Sequence, residues 1–360
     1  MNKHQYVAIM AGGIGSRFWP QSRTSYPKQF LDILNTGKTL IQQTFERYAS
    51  FIPVENIFVV TSVDYAKIVE QQLPNIPTIN ILTEPSRKNT APCVAYISFK
   101  IFQKDPEASL IVAPSDHIIM DTLGFVKTTN TALGFVANND AMITLGIEPT
   151  YPNTGYGYIQ YDTSNVANDV FKVKTFTEKP NLEIAKSFIQ SGDFLWNAGI
   201  FIWKIQTILR ALRLYQSEMY ELFEAEQSSF NTATEYQAIE RIYPLCINVS
   251  IDVAVMEKAN NVYVIPSSFG WSDLGTWNSA YENLEKDYLG NAVAGKNVII
   301  IDATKCMISA PADKLVLIQG LDDCIVVDTK DALLICKKDK EQDIKEYVAE
   351  VKRSKGDYYL

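Results

Sequence analysis

The chain has 360 residues, of which 47% are hydrophobic and 21% charged, and a formal net charge of −8. That length suits two domains, and the hydrophobic share provides for a sizeable core. The acidic balance argues against nucleic acid or an anionic membrane as the main partner, since both reward a basic surface; any anionic ligand must meet a local cluster of positive charge.

Tyr6–Met10 is a short apolar run ending at glycines, as in a buried strand that feeds a loop. It lacks a small-residue cleavage pattern, so no signal peptide is expected. Ile41, Phe45, Tyr48 and Ile52 recur at helical spacing, and Pro53 closes that helix. Residues 57–61 and 80–83 read as strands, 90–104 as a helix and 109–113 as a buried strand. A helix after Asp121 and a strand over 141–146 follow. Strands alternating with helices in this way predict α/β units around a mostly parallel sheet.

After Glu148 the texture changes. Residues 155–161 and 170–176 alternate in polarity, as in an antiparallel extension, and 181–190 and 207–226 read as helices. From about Gly290 short apolar runs replace helices: 298–301, 315–318, 324–327 and 333–336. The last three start nine residues apart, as in a small stacked-strand unit, and 341–352 closes as an amphipathic helix. The boundary is expected near residue 285, giving domains 1–285 and 286–360.

Cys93, Cys246, Cys306, Cys324 and Cys336 are scattered, with no CxxC pair. They read as thiols of a reducing compartment, not as a disulfide framework or zinc site. No run approaches the roughly 18 apolar residues of a membrane span. A cytoplasmic chain is expected.

Six stretches hold candidate chemistry. In AGGIGSRFWPQSRTSYPKQF, Gly12, Gly13 and Gly15 can turn backbone N–H groups toward a phosphate, with Arg17 as a bidentate grip and Lys28 as a point charge. The loop is neither a Rossmann fingerprint, lacking the third glycine, nor a Walker A loop, lacking GK[ST]. EPSRKNTAP sits between a strand and a helix, as a polar stretch that recognises a base or ribose at the sheet's carboxyl edge, or as one in which Asn89 or Thr90 simply caps that helix. Asp116 of PSDH is either a Mg²⁺ ligand or a cap. Glu178 and Lys179 of FTEKP, where a strand ends before a helix, read as a solvated doublet, the usual fate of such a pair. WNAGIF and GWSDLGTW each set polar residues among tryptophans, as in loops packed by aromatic rings; His117 and His4 are read as structural and exposed, respectively.

In that order and at those separations, these motifs resemble the mannose-1-phosphate guanylyltransferase (GDP-mannose pyrophosphorylase) family over nearly the whole chain, including the tail KLVLIQGLDDCIVVDTKDALLIC. The glycine loop alone belongs to all sugar-nucleotide pyrophosphorylases. The combination of FWPxSR…PKQF with EPxxKNTAP marks the mannose-type branch. The resemblance implies a Rossmann-like, GT-A-like nucleotidyltransferase domain with a mixed central sheet and a small C-terminal β-helix-like unit. It implies Mg²⁺-dependent transfer of GMP from GTP to mannose 1-phosphate.

Carried over position by position, Gly12, Gly13, Gly15 and Arg17 would hold the GTP phosphates, with Lys28 near the α-phosphate. Glu84 and Asn89 would serve guanosine recognition. Asp116 and Asp273 would bind metal, a pairing that only the resemblance suggests. Gly155, Glu178, Lys179 and Asn197 would form the sugar-phosphate site. A homodimer is a family expectation. Ser16 and Phe18 depart from the usual Thr and Leu without removing a charge or a glycine. Some relatives carry a further phosphomannose isomerase domain; this sequence is about a hundred residues too short for it, so no isomerase activity is expected.

Three rivals differ in class or specificity. Another hexose 1-phosphate or NTP would keep the chemistry. A GT-A glycosyltransferase usually shows a DxD motif, where this strand end reads SDHI. A non-catalytic nucleotide-binding regulator should lack one of Lys28, Asp116, Lys179 or Asp273, and all four are present.

Overall fold

Gln5–Ala11, Ile57–Ser62, Ile81–Glu84 and Ser109–Pro114, the apolar runs of the first half, lie side by side as parallel strands. A computed structural model of the chain describes residues 2–167 and 169–360. Val7 stands opposite both Ile57 and Ile111, so the first strand is central and buried on both faces. The complete sheet runs, in spatial order, Ile81–Glu84, Ile57–Ser62, Gln5–Ala11, Ser109–Pro114, Phe194–Lys204, Met142–Ile147, Val262–Ser267, Val170–Thr177 and Tyr158–Ala167. Phe194–Lys204 pairs antiparallel with both of its main neighbours, which makes the sheet mixed, as expected. Its core joins sheet residues such as Ala8, Leu110 and Trp203 to Val94, Ile97 and Phe99 of the helix Thr90–Lys104.

The chain divides into two compact units: residues 1–12, 45–114 and 119–271 in one, and residues 13–44, 115–118 and 272–360 in the other. The second is a β-helix-like stack. Ala292–Ala294, Met307–Ser309 and Cys324–Asp328 pair in parallel, as do Val298–Ile301 and Val316–Gln319. The same sequence offset separates Val298 from Val316 and Met307 from Ile325. The nine-residue step from 315–318 to 324–327 is therefore half a coil, because these runs fall on two different small sheets, whereas the next step stays on the sheet of Cys324–Asp328. Leu333–Lys337 then turns back antiparallel. One core of this unit brings Phe18, Trp19 and Ile33 together with Trp277, Met307, Ile325 and Ile344.

Three local expectations need correction. The helix foreseen over 207–226 is two, Ile205–Tyr215 and Ser217–Ala225: Gln216 leaves helical geometry (φ −142°, ψ 51°) while its side chain donates to the Ala254 carbonyl. WNAGIF is not a loop but the middle of the strand Phe194–Lys204, with Trp196 buried between Tyr151 and Tyr156. The terminal helix starts later, at Ile344, after a 3-10 segment Lys338–Asp343. His4 is exposed but bonds Asp105. All five cysteines are free. Among the described residues, no helix is long and apolar enough to cross a membrane.

Candidate active site

The glycine loop is built around one lysine. Gly15 has φ 65°, and a Cβ there would lie 2.4 Å from Lys28 Cβ, so only a glycine lets the lysine stem pass. Lys28 is 4% exposed. Its ammonium donates to the Asp273 and Leu274 carbonyls, both at 2.9 Å, and pairs with Asp116 Oδ2 at 2.8 Å. Three donors thus meet three oxygens. Burial pushes the Asp116 carboxyl up, but the Lys28 ammonium and His117 outweigh it and hold the group below its ordinary value.

Asp273 Oδ1 accepts from the Gly275 N–H, which fixes the turn that presents its carbonyl. One cation therefore sits among a carboxylate and two carbonyls, an all-oxygen setting of the kind hard divalent ions take. Among the described residues no group of three or more His, Cys, Asp or Glu could hold a metal ion, so such an ion would need ligand oxygens besides Asp116 and Asp273. Arg17 is partly buried and its Nε is without a hydrogen-bond partner. The Gly13 carbonyl accepts from Gln29, and the Ile14 carbonyl from Ser22, so the loop is braced by its own continuation.

The expected base-side residues lie in the first unit. Glu84 is 7% exposed and its Oε1 accepts from Cys93 Sγ at 2.7 Å and from the Tyr243 hydroxyl. Burial pushes this carboxyl up. A Cβ on Gly12 would lie 3.3 Å from Glu84 Oε2. Asn89 sits at the start of the helix Thr90–Lys104, where its side chain accepts from the Thr90 N–H. The capping role is therefore occupied, and Cys93 Sγ also reaches the Asn89 carbonyl.

The expected sugar-side residues also gather in that unit. Lys179 pairs with Glu178, and Glu178 Oε2 would lie 2.7 Å from a Cβ added to Gly157. Asn197 Oδ1 accepts from Thr144 Oγ1 at 2.8 Å and from the Gly199 N–H at 3.0 Å. Gly199 has φ 67°, which turns that N–H back toward the side chain. Gly155 does not join them: it bonds Asn153 in an exposed turn, and Gly157 is the glycine against Glu178 and Asn197.

Two residues escaped the sequence reading. Asp252, on the π-helical segment Asp252–Met256, accepts from Asn197 Nδ2 at 2.9 Å. Burial, then the Glu178 charge, push its carboxyl up to about 6. Tyr243 closes the Glu84 cluster. Neither carries a local motif; an acid amid the apolar run Val249–Met256 was the only cue.

Residues 6–290 match the nucleotidyl transferase family, and residues 296–351 match the mannoseP isomerase/GMP-like beta-helix domain. Among curated proteins, a mannose-1-phosphate guanylyltransferase of Salmonella montevideo is 38% identical over 96% of this chain and 73% of its own length. The alginate biosynthesis protein AlgA of Pseudomonas syringae pv. tomato is 39% identical over 95% of this chain and 70% of its own. Among solved structures, one described as mannose-1-phosphate geranyltransferase from Thermus thermophilus superimposes with a TM-score of 0.86. It is 30% identical, and the match covers 97% of this chain and 99% of that one.

Proposed function

We infer what the chain does from a plain premise: it belongs to the nucleotidyl transferase family, in the branch of the mannose-1-phosphate guanylyltransferases. It is an enzyme that transfers GMP from GTP to α-D-mannose 1-phosphate, giving GDP-mannose and pyrophosphate. The second phosphate pKa is about 6, so the attacking sugar phosphate is largely ionised at neutral pH and needs no general base. The obstacle is electrostatic. A near-dianion must reach the α-phosphorus of a nucleotide bearing about four negative charges, and in-line displacement builds charge on the departing pyrophosphate. Catalysis is then positioning plus positive potential.

The residue roles follow from that need. Lys28 exchanges one carbonyl partner for an α-phosphate oxygen and serves as the central positive charge. Arg17 takes the leaving pyrophosphate, and the amides of Gly12, Gly13 and Gly15 add partial charge without bulk. Lys179 takes the sugar phosphate; Glu178 and Asn197 take its hydroxyls, with Gly155 at the margin. Glu84 and Asn89 serve the guanosine. Asp116 and Asp273 would hold Mg²⁺, which would supply neutralisation of phosphate charge. The observation that supports this reading best is the buried Lys28 ammonium tied at once to Asp116 and to the 273–274 turn.

A catalytic domain ending near residue 285, with 286–360 as its β-rich companion, is supported by the change of family match between residues 290 and 296. A cytoplasmic homodimer belongs to the same reading. The test is pyrophosphate release with each NTP crossed against mannose, glucose and related 1-phosphates. Turnover with GTP and mannose 1-phosphate is expected, and turnover only with another pair refutes the specificity. For the metal role, Asp273→Asn should raise the Mg²⁺ requirement sharply; an unchanged metal titration assigns Asp273 to loop packing alone.

A further inference from the structure

Asn197 has four side-chain hydrogen-bonding positions, and the protein fills three. Its oxygen takes the Thr144 hydroxyl and the Gly199 N–H, which fixes which end of the amide is oxygen, because a backbone N–H cannot face the NH₂ group. Its nitrogen gives one proton to Asp252 Oδ1. A single N–H is left.

The place beside that N–H is shaped for something small. A Cβ added to Gly157 would stand 2.7 Å from Glu178 Oε2 and 3.6 Å from Asn197 Nδ2. The bare Cα of Gly157 thus lies beside one acceptor and one donor. A hydroxyl is both a donor and an acceptor: it can give its proton to Glu178 and receive one from Asn197. Gly157 keeps that cradle clear, and the Asn197 N–H is aimed only if its sister proton is taken.

We propose that Asp252 is a positioning residue of the sugar site, one that holds the Asn197 amide so that its remaining N–H and the Glu178 carboxylate together read one hydroxyl of the hexose. This rests on the reading of mannose 1-phosphate as substrate. Asp252 does not touch the reacting phosphates; it acts through Asn197. Its place on a π-helical segment suits the task, since such segments offer a side-chain direction that a regular helical turn does not.

The experiment compares wild type, Asp252→Ala and Asp252→Asn with GTP and mannose 1-phosphate, and then with the monodeoxy mannose 1-phosphates. Asp252→Ala should raise KM for mannose 1-phosphate about tenfold, the scale of one charge-assisted hydrogen bond, and leave KM for GTP unchanged. Asp252→Asn should recover most of the loss at pH 8, because its amide oxygen can still accept from Asn197. One deoxy analogue should be penalised in wild type and no further in Asp252→Ala. Thermal melts show whether each variant is folded.

Equal rises in both KM values, no rise for mannose 1-phosphate, or deoxy penalties that simply add in every case overturn the proposal. If Asp252→Ala does not fold, Asp252→Leu, which also lacks an acceptor, decides with the deoxy series at pH 8, with a coupled hydroxyl as the supporting result and none as the refuting one. Wild type that does not turn over mannose 1-phosphate refutes the substrate reading itself, and the proposal with it. Active wild type with indifferent variants refutes the proposal alone.

Discussion

At the scale of single residues, Lys28 carries two burdens. Lys28→Met should lower turnover on the order of 100-fold, the size seen when one transition-state donor is removed. It should also lower Tm. Breaking a buried ion pair costs about 3–5 kcal/mol, and somewhat less here because the Asp116 side chain is 27% exposed. Adding Asp116→Asn should return part of that Tm without restoring turnover. A steady-state assay with a thermal melt separates the two effects, and near-native turnover would remove Lys28 from the chemistry.

Asp252 makes a prediction of opposite sign. Its folded-state pKa is about 6, above the ordinary aspartate value, because burial and the Glu178 charge raise it more than the Lys179 charge lowers it. The native state therefore holds the proton more tightly than the unfolded chain does. Ionising the group costs stability as pH rises from about 4 to about 6, and the full cost stands above that. Asp252→Asn cannot ionise, so it should melt a few degrees above wild type at pH 8 and at the same temperature near pH 4. A lower Tm at pH 8 would contradict the burial argument.

At the scale of elements, the buried pair Lys100–Glu235 shows what one sequence displays and what it hides. Glu235 of the helix Glu235–Ile242 accepts from Lys100 and Tyr96, both on the helix Thr90–Lys104, and from the Asn231 N–H. Glu235→Gln should leave Lys100 buried without a counter-charge and lower stability by about 3–5 kcal/mol. Turnover measured well below Tm should be unchanged, since neither residue has a part in the chemistry. The helix Thr90–Lys104 itself was legible to the residue, because its apolar face repeats locally. Its partner was not. Lys100 and Glu235 are 135 positions apart, and nothing in a charge on a helix names a distant acid. The strand Phe194–Lys204 was missed for a related reason: Asn197 and Gly199 look like a turn until the surrounding strands fix them in a sheet. Asp252 and Tyr243 stayed hidden because their meaning lies entirely in what they touch.

At the scale of the whole chain, the sequence read as a catalytic body with a β-rich appendage, whereas the packing joins residues 13–44 to residues 272–360 in one compact unit. Composition changes near residue 285 and is visible; a shared core is a set of distant contacts and is not. Phe18 packs on Trp277 with tilted rings whose centroids lie 4.8 Å apart, and Trp19 Nε1 donates to the Tyr359 carbonyl at 2.8 Å. Arg23 pairs with Asp331 at 2.7 Å. Truncation after residue 290 should therefore abolish turnover without changing any proposed ligand residue. It should take Tyr359 from Trp19 and remove Met307, Ile325 and Ile344 from the core that residues 13–44 share, so dye binding to exposed apolar surface should rise; an active truncated enzyme would show that the β-helix-like stack is dispensable.

That shared core also sets a timetable. Residues 13–44 leave the ribosome long before side chains that bury Phe18 and Trp19, such as Trp277, Met307 and Ile344, are made. At about 5–20 residues per second, the loop waits on the order of tens of seconds for its partners. During that interval two large aromatic residues have no native place to go. Translation speed through the stretch encoding residues 277–344, and any chaperone present meanwhile, thus bear on a loop encoded far upstream of it.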